Sequence, residues 1–283
     1  MTPTAGLGFK PEHFAEAMSC PAAGMWFEVH AENYMVAGGP KLAMLEALRS
    51  RHPLSIHGVG LSLAADADPD PRSLAALNVV VDRFRPFVVS EHLAWSSWAG
   101  AHLPDLLPFP RNQESLLRMV RNVDITQQAL GRSILIENPS AYLPLAHEIS
   151  EAEFLSDLAR RTGCGLLVDV NNAYVSASNL GGDAGAFLAA LPAEAIGEIH
   201  LAGHSPDAGV PDSGLLIDTH AAPVCDVVWQ LYSDLLARMG PRPTLIERDD
   251  NVPAFDVLMG ERDHAASLLA AVVSEGRPHA IAC

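Results

Sequence analysis

Residues 133–169 read SILIENPSAYLPLAHEISEAEFLSDLARRTGCGLLVD. The stretch opens on a short apolar run, Ser133 to Ile136, and closes on another, Gly165 to Val168. Short apolar runs bounded by polar residues read as buried strands. Between them, Ser150 stands three residues before Glu153, the capping box that opens a helix over Ser150 to Arg161. Each strand candidate ends on a carboxylate, Glu137 after the first and Asp169 after the second. Strand, helix, strand, with acidic residues where the strands stop, is the unit to look for elsewhere.

It recurs along the whole chain. Earlier strand candidates are Ala5 to Phe9, Met25 to Val29, Leu54 to His57 and Phe87 to Ser90; later ones are Gly197 to Leu201 and Pro243 to Ile246. Helical patterns lie between them at Pro11 to Ser19, Lys41 to Ser50, Arg72 to Phe84, Asn112 to Leu130, Gly185 to Leu191, Val224 to Met239 and Ala254 to Val273. Eight strands each followed by a helix predict a (β/α)8 TIM barrel, and 283 residues suit one such domain spanning 1–283. A doubly wound open sheet is the second choice, because no Gly-rich phosphate loop follows the first strand. No linker or low-complexity run divides the chain.

Hydrophobic residues make up 49% and charged residues 18%, enough apolar material for a large core. A formal net charge of −16 argues against a nucleic-acid partner, which needs clustered Lys and Arg. Cys20, Cys164, Cys225 and Cys283 form no C-x-x-C pair, so neither a zinc knuckle nor an iron–sulfur site is expected. No signal-peptide pattern and no apolar run long enough to span a membrane is present, and a cytoplasmic location with free thiols is the expectation.

In a barrel the C-terminal ends of all strands open on one face. There the sequence places Glu28, His30, Glu32 and Asn33; His57; Glu91 and His92; Glu137 and Asn138; Asp169, Asn171 and Asn172; His200 and His204; and Glu247, Asp249 and Asp250, with Asp218 and His220 in the long loop after the seventh strand. Any one of these could satisfy a core hydrogen bond or cap a helix. Taken together they would crowd carboxylates at a cost that cations must offset. Histidine with carboxylate suits divalent iron, manganese or zinc, and the donors outnumber what one ion can use. Glu28 and Asn33 read as supporting groups, and Glu91 points away from His92 along a continuing strand. Trp95 and Trp98 in the loop after the fourth strand, and Tyr174, are candidate substrate contacts; packing of the loop onto the barrel rim is the competing reading. His102 and Arg111 follow the tryptophans.

The segments Trp26-Phe27-Glu28-Val29-His30-Ala31-Glu32-Asn33-Tyr34, Ser55-Ile56-His57-Gly58-Val59-Gly60, Val89-Ser90-Glu91-His92, Ile136-Glu137-Asn138-Pro139, Asp169-Val170-Asn171-Asn172, Ile199-His200-Leu201-Ala202-Gly203-His204 and Ile217-Asp218-Thr219-His220 resemble the multinuclear non-heme iron-dependent oxidases, the former DUF692 family, which includes the methanobactin biosynthesis oxidase and bufferin-modifying members. The resemblance implies a xylose isomerase-like barrel holding two or three irons in a mixed Fe(II)/Fe(III) state, with O2 as co-substrate. It implies oxidation of cysteines in a ribosomally made precursor peptide to heterocycles such as oxazolone/thioamide or thiooxazole, the copper-binding bufferins being the nearest subgroup. It implies a partner protein that recognises the leader and forms a heterodimer. Carried over, the iron ligands are His57, His92, Glu137, Asp169, His200, Asp218, His220 and Glu247. Asn172 and His204 stand second, beside Glu28 and Asn33, and Asp249 is the candidate proton acceptor. Two other classes fit the same donors: a metal-dependent hydrolase of the endonuclease IV type or a sugar isomerase, and a non-catalytic metal-binding scaffold. An isomerase needs a lysine at the site, and Lys10 is the one near the strand ends.

Overall fold

A computed structural model describes residues 4–98, 101–210 and 213–275. The eight barrel strands are β1 (Ala5–Gly8), β2 (Phe27–His30), β3 (Leu54–His57), β4 (Val88–His92), β5 (Leu135–Glu137), β6 (Gly165–Asp169), β7 (Ile196–Leu201) and β8 (Thr244–Ile246). They pair in parallel in sequence order, and β8 closes the ring onto β1 through Ala5 opposite Thr244 and Leu7 opposite Ile246. The helices are α1 (Phe14–Ser19), α2 (Pro40–Arg49), α3 (Pro71–Phe84), α4 (Gln113–Leu130), α5 (Glu151–Thr162), α6 (Val170–Leu180), α7 (Ala184–Ala190), α8 (Asp226–Met239) and α9 (Phe255–Glu275). Among the described residues no helix is long and apolar enough to cross a membrane.

The expected barrel is present, with two differences inside the repeat. The segment after Asp169 forms α6, where only the shorter helix beyond it was expected. Asp169 caps α6 by accepting from the Asn172 amide at 2.6 Å, so one residue ends a strand and starts a helix with no loop between. The loop after β4 folds into an antiparallel hairpin, Trp95–Trp98 against Ala101–Leu107. Ser62, at φ 56°, accepts from the Ser96 and Ser97 amides and ties this hairpin to the β3 loop. Cys283 and the side chains of Trp98 and His102 lie outside the described residues.

Strand alternation sorts the side chains. In β3, Leu54 and Ile56 join the core shared with the helices, while Ser55 and His57 take the other parity and line the barrel. Register sets His30 opposite His57, His92 opposite Glu137 and Asp169 opposite His200, so these side chains stand at matching heights around the ring. Below them the barrel is plugged. Trp26 is fully buried, and a Cβ on Gly6 would meet its ring at 2.4 Å. Leu135 similarly fills the space over Gly165 and Gly197. The α5 capping box forms as expected, and Asn122 of α4 donates to the Leu63, Ala65 and Ala67 carbonyls, fastening the loop that follows β3.

Candidate metal centre

His57 and His92 bring their Nε2 atoms within 3.3 Å of each other. Both face Glu137 Oε2, at 3.0 and 3.1 Å. Their Nδ1 atoms are engaged from behind: Ser90 Oγ lies 2.7 Å from that of His57, and the Gly58 carbonyl 3.1 Å from that of His92. Such partners fix ring orientation and tautomer, the arrangement found behind metal-ligating histidines.

His200, wholly buried, stands beside this group. Its Nδ1 is 3.2 Å from Glu247 Oε2 and 3.7 Å from Glu137 Oε1. Its Nε2 faces down the barrel, 3.4 Å from Glu28 and 3.5 Å from Glu198. Ser55 Oγ donates to Glu28 at 2.8 Å. On the far side His220, at φ 49°, has Nδ1 2.9 Å from Asp249 and Nε2 2.9 Å from Asp218. Lys10 reaches the other oxygen of Asp249 at 2.7 Å. Asn171 donates to Asp218 and lies against His204 Nδ1, each at 2.7 Å.

Ligand atoms of five groups converge within 4.8 Å: His57, His92 and Glu137; Glu137, Asp169 and His200; Asp169, His220 and Glu247; Glu28, His200 and Glu247; and His30, Glu247 and Asp249. Glu137 and Asp169 each belong to two groups and Glu247 to three.

The charge state shows how strongly the cluster attracts cations. Burial alone would strip the histidines of protons, yet Glu137 holds His57 up to about 10. Burial is likewise overcome at His200, by Glu28 and Glu247, and at His220, by Glu247; both are raised well above the usual range. His92, where burial prevails, falls to about 4. Burial raises Asp169, with Asp218 and Glu137 adding to the shift, and burial with the charge on Glu28 lifts Glu198 to about 7. Burial would also raise Glu137, but His92 and His57 hold it at about 2. Asp249 too resists burial and is held at about 2 by its bond to His220.

Glu137 Oε2, Asp169 Oδ2, His200 Nδ1 and His220 Nε2 are buried without a well-formed hydrogen bond, and all four belong to the convergent groups. Orphaned polar atoms of that kind are what metal ligands look like without their ion. The donor set, imidazole and carboxylate without thiolate, fits iron, manganese or zinc.

Of the eight expected ligands, seven fall in the convergent groups; Asp218 joins through His220. Asn172 bonds Ser140 and the Asn138 carbonyl and lines the cavity over the centre, and His204 packs against Tyr174 with ring centroids 5.2 Å apart, outside the convergent groups. Asn33 lines a neighbouring cavity. Trp95 donates to the Pro108 carbonyl at the base of the hairpin. Glu91 points away from the centre, accepting from the Leu61 amide, and burial with the nearby Glu32 raises it to about 8. Sequence reasoning named His30 at a strand end without counting it among the ligands, and it groups with Glu247 and Asp249; Glu198 was left out, although its signal was its place two residues before His200 on the same strand face. It also left out Tyr142, whose hydroxyl accepts from the Asp218 amide at 3.0 Å. A cavity of about 270 Å³ opens over the centre, bounded by His57, His92, Glu137, Tyr142, His220 and the hairpin residue Asp105.

Solved structures with this architecture include D-psicose 3-epimerase from Clostridium cellulolyticum H10 (TM-score 0.61, 11% identity, 95% of this chain and 99% of that one) and a xylose isomerase domain protein from Planctomyces limnophilus (TM-score 0.55, 14% identity, 96% and 97%). At such identities the likeness concerns the fold, a xylose isomerase-like TIM barrel. A UPF0276 protein of Caulobacter vibrioides strain NA1000 is 65% identical over 271 residues, covering 95% of this chain and 96% of the relative. The family model described as RiPP precursor modification enzyme MbnB/TglH/ChrH matches residues 4–270. With its barrel, its histidine–carboxylate centre and a match across nearly its whole length, the chain belongs to this family of enzymes that modify ribosomally made precursor peptides.

Proposed function

We propose that the chain is a multinuclear iron oxidase that uses O2 to convert cysteines of a precursor peptide into heterocycles, with a copper-binding peptide of the bufferin type as substrate. The observation that carries this reading is the sharing of Glu137, Asp169 and Glu247 between ligand groups, since a carboxylate common to two groups of donors could serve two neighbouring ions. Bound iron would pass to O2 the electrons given up by the cysteine and would supply a position at which a thiol is held deprotonated.

The protein's own contribution is geometric and electrostatic. His57, His92 and Glu137 hold one end of the centre, and Asp169, His220, Asp218 and Glu247 the other. Glu28 and Glu198 steady His200 from below. The plugged barrel floor leaves the mouth as the way in for a peptide. Asp249, ionised across the neutral range and bonded to Lys10 and His220, would be the proton acceptor at the edge of the centre. Trp95 and the hairpin, with Tyr174 behind the His204 ring, shape the rim against which the peptide lies. A separate leader-binding protein would present the peptide as a heterodimer with this chain.

The test is anaerobic purification after iron-supplemented expression, with elemental analysis, Mössbauer and EPR spectra, and a cysteine peptide supplied with O2. Two or more irons per chain with a coupled mixed-valent signal and O2-dependent change in peptide mass are expected. Stoichiometric zinc or manganese without iron, and no change in the peptide, would replace the reading with a hydrolase or isomerase.

A further inference from the structure

In its 283 residues the chain has two lysines, Lys10 and Lys41. One follows β1 and the other sits in the first turn of α2, yet both line a single cavity of about 200 Å³ next to the metal centre. This cavity shares His30, Glu247 and Asp249 with the larger one over the metals, so the two are adjoining chambers of one mouth. No arginine lines either chamber, although arginine supplies every other Lys or Arg charge in the sequence. The larger chamber is also lined by Asp105 and Asp218. In a molecule of net charge −16, both of its lysine ammonium groups thus stand at one side of the approach to the centre, beside the carboxylates Glu28, Glu247 and Asp249.

The two lysines are not equivalent. Lys10 is matched by Asp249 at 2.7 Å. Lys41 is exposed and forms no ion pair among the described residues. One unmatched ammonium, a compact charge on a flexible stem, suits one negative charge better than a planar dianion that needs an arginine fork.

We propose that the Lys10–Lys41 chamber is a subsite for a carboxylate of the peptide substrate, with Lys41 the residue that meets it. This rests on the reading of the centre as a peptide-modifying site. Because the chambers share walls, and an extended chain advances about 3.5 Å per residue, that carboxylate belongs to a residue one or two positions from the modified cysteine. It comes either from an acidic side chain or from the peptide's own C-terminus.

Binding measured anaerobically separates this subsite from the chemistry, because without O2 no oxidation is required of the protein. Three probes are titrated calorimetrically into the metal-loaded full chain: N-acetylated Ala-Cys-Glu with an amidated end, N-acetylated Ala-Cys-Ala with a free carboxylate end, and N-acetylated Ala-Cys-Gln amide. The expected result is that one or both acidic peptides bind about fivefold more tightly than the neutral one at low salt, with the advantage shrinking as salt rises. The first probe winning identifies a side-chain carboxylate, and the second a C-terminal one. Lys41→Gln should erase the preference, and Lys41→Glu should invert it, without altering metal content. Equal binding of all three peptides, no binding by any up to roughly 10 mM, or a preference that survives Lys41→Gln would each overturn the subsite. If the preference is found but no peptide is ever oxidised, the subsite stands and the proposed chemistry falls.

Discussion

The Ser90 hydroxyl bonds Nδ1 of His57 and so decides which nitrogen of that ring faces Glu137. Ser90→Ala frees that ring to turn, and metal affinity is expected to fall about 10- to 100-fold; competition with a chelator of known affinity measures it, and an unchanged constant would remove Ser90 from the site. Glu137→Gln keeps the side chain's shape and removes the charge on which His57 and His92 converge, so at least one ion per chain should be lost by elemental analysis while the circular dichroism stays that of the parent. Cys164 illustrates the opposite kind of residue. It is buried, and that burial pushes its thiol up to about 11, so little thiolate is available. Peptide mapping after treatment with a thiol reagent at neutral pH should find Cys164 unlabelled in the native chain and labelled once it is unfolded. At this scale much of the centre was legible in the sequence, because each ligand stands where a strand stops. What hid was depth: Glu198 lies one pleat below His200, and only alternation along β7 would have singled it out.

The elements around the centre are held by side chains that take no part in it. Asn122 of α4 satisfies three carbonyls of the loop after β3, the loop that begins at His57. Asn122→Ala leaves the buried Leu63 carbonyl unmet, for a cost of about 1–3 kcal/mol, and should also loosen metal binding because His57 heads that loop. Ser150→Ala removes the α5 cap at a cost of about 1 kcal/mol at a residue that lines neither chamber of the mouth, and should leave metal content alone. Thermal melts and metal analysis of the two variants together separate a site-bearing loop from a scaffold helix. The eight strands were readable because each is a short apolar run between polar ends. α6 was not, because its first turn, Val170-Asn171-Asn172, looks like a polar loop until Asp169 is seen to cap it. Nor was the hairpin after β4, whose sequence Trp95-Ser96-Ser97-Trp98 carries no apolar alternation on one face.

Over the whole molecule, the interior of the barrel is where charge is concentrated. Glu28, Glu137, Asp169, Glu198 and Glu247 are all buried within it, and ions that bind the folded chain alone stabilise it by mass action, about 2.7 kcal/mol at a hundredfold excess over Kd. Chelation should therefore lower the melting temperature, and restoring the metal should recover it. Because His57, His200 and His220 hold their protons so firmly, metal uptake must release protons. Affinity is then expected to climb as pH rises through and above neutrality, because protons compete with the metal for these rings. Proton release on metal addition, read by titration in weakly buffered solution, checks the sign. The same ring closure that builds the centre also sets when it can be built. β1 must wait for β8, more than two hundred residues later in synthesis, and Glu247 arrives just after that last strand. A nascent chain stalled before β8 carries His57, His92 and Glu137 but not the carboxylate common to three of the ligand groups, and its barrel is a sheet with two open edges. Metal loading is consequently expected to follow translation: the unfinished chain has edges through which it could aggregate, and a metal ion delivered during synthesis would find a site too incomplete to keep it.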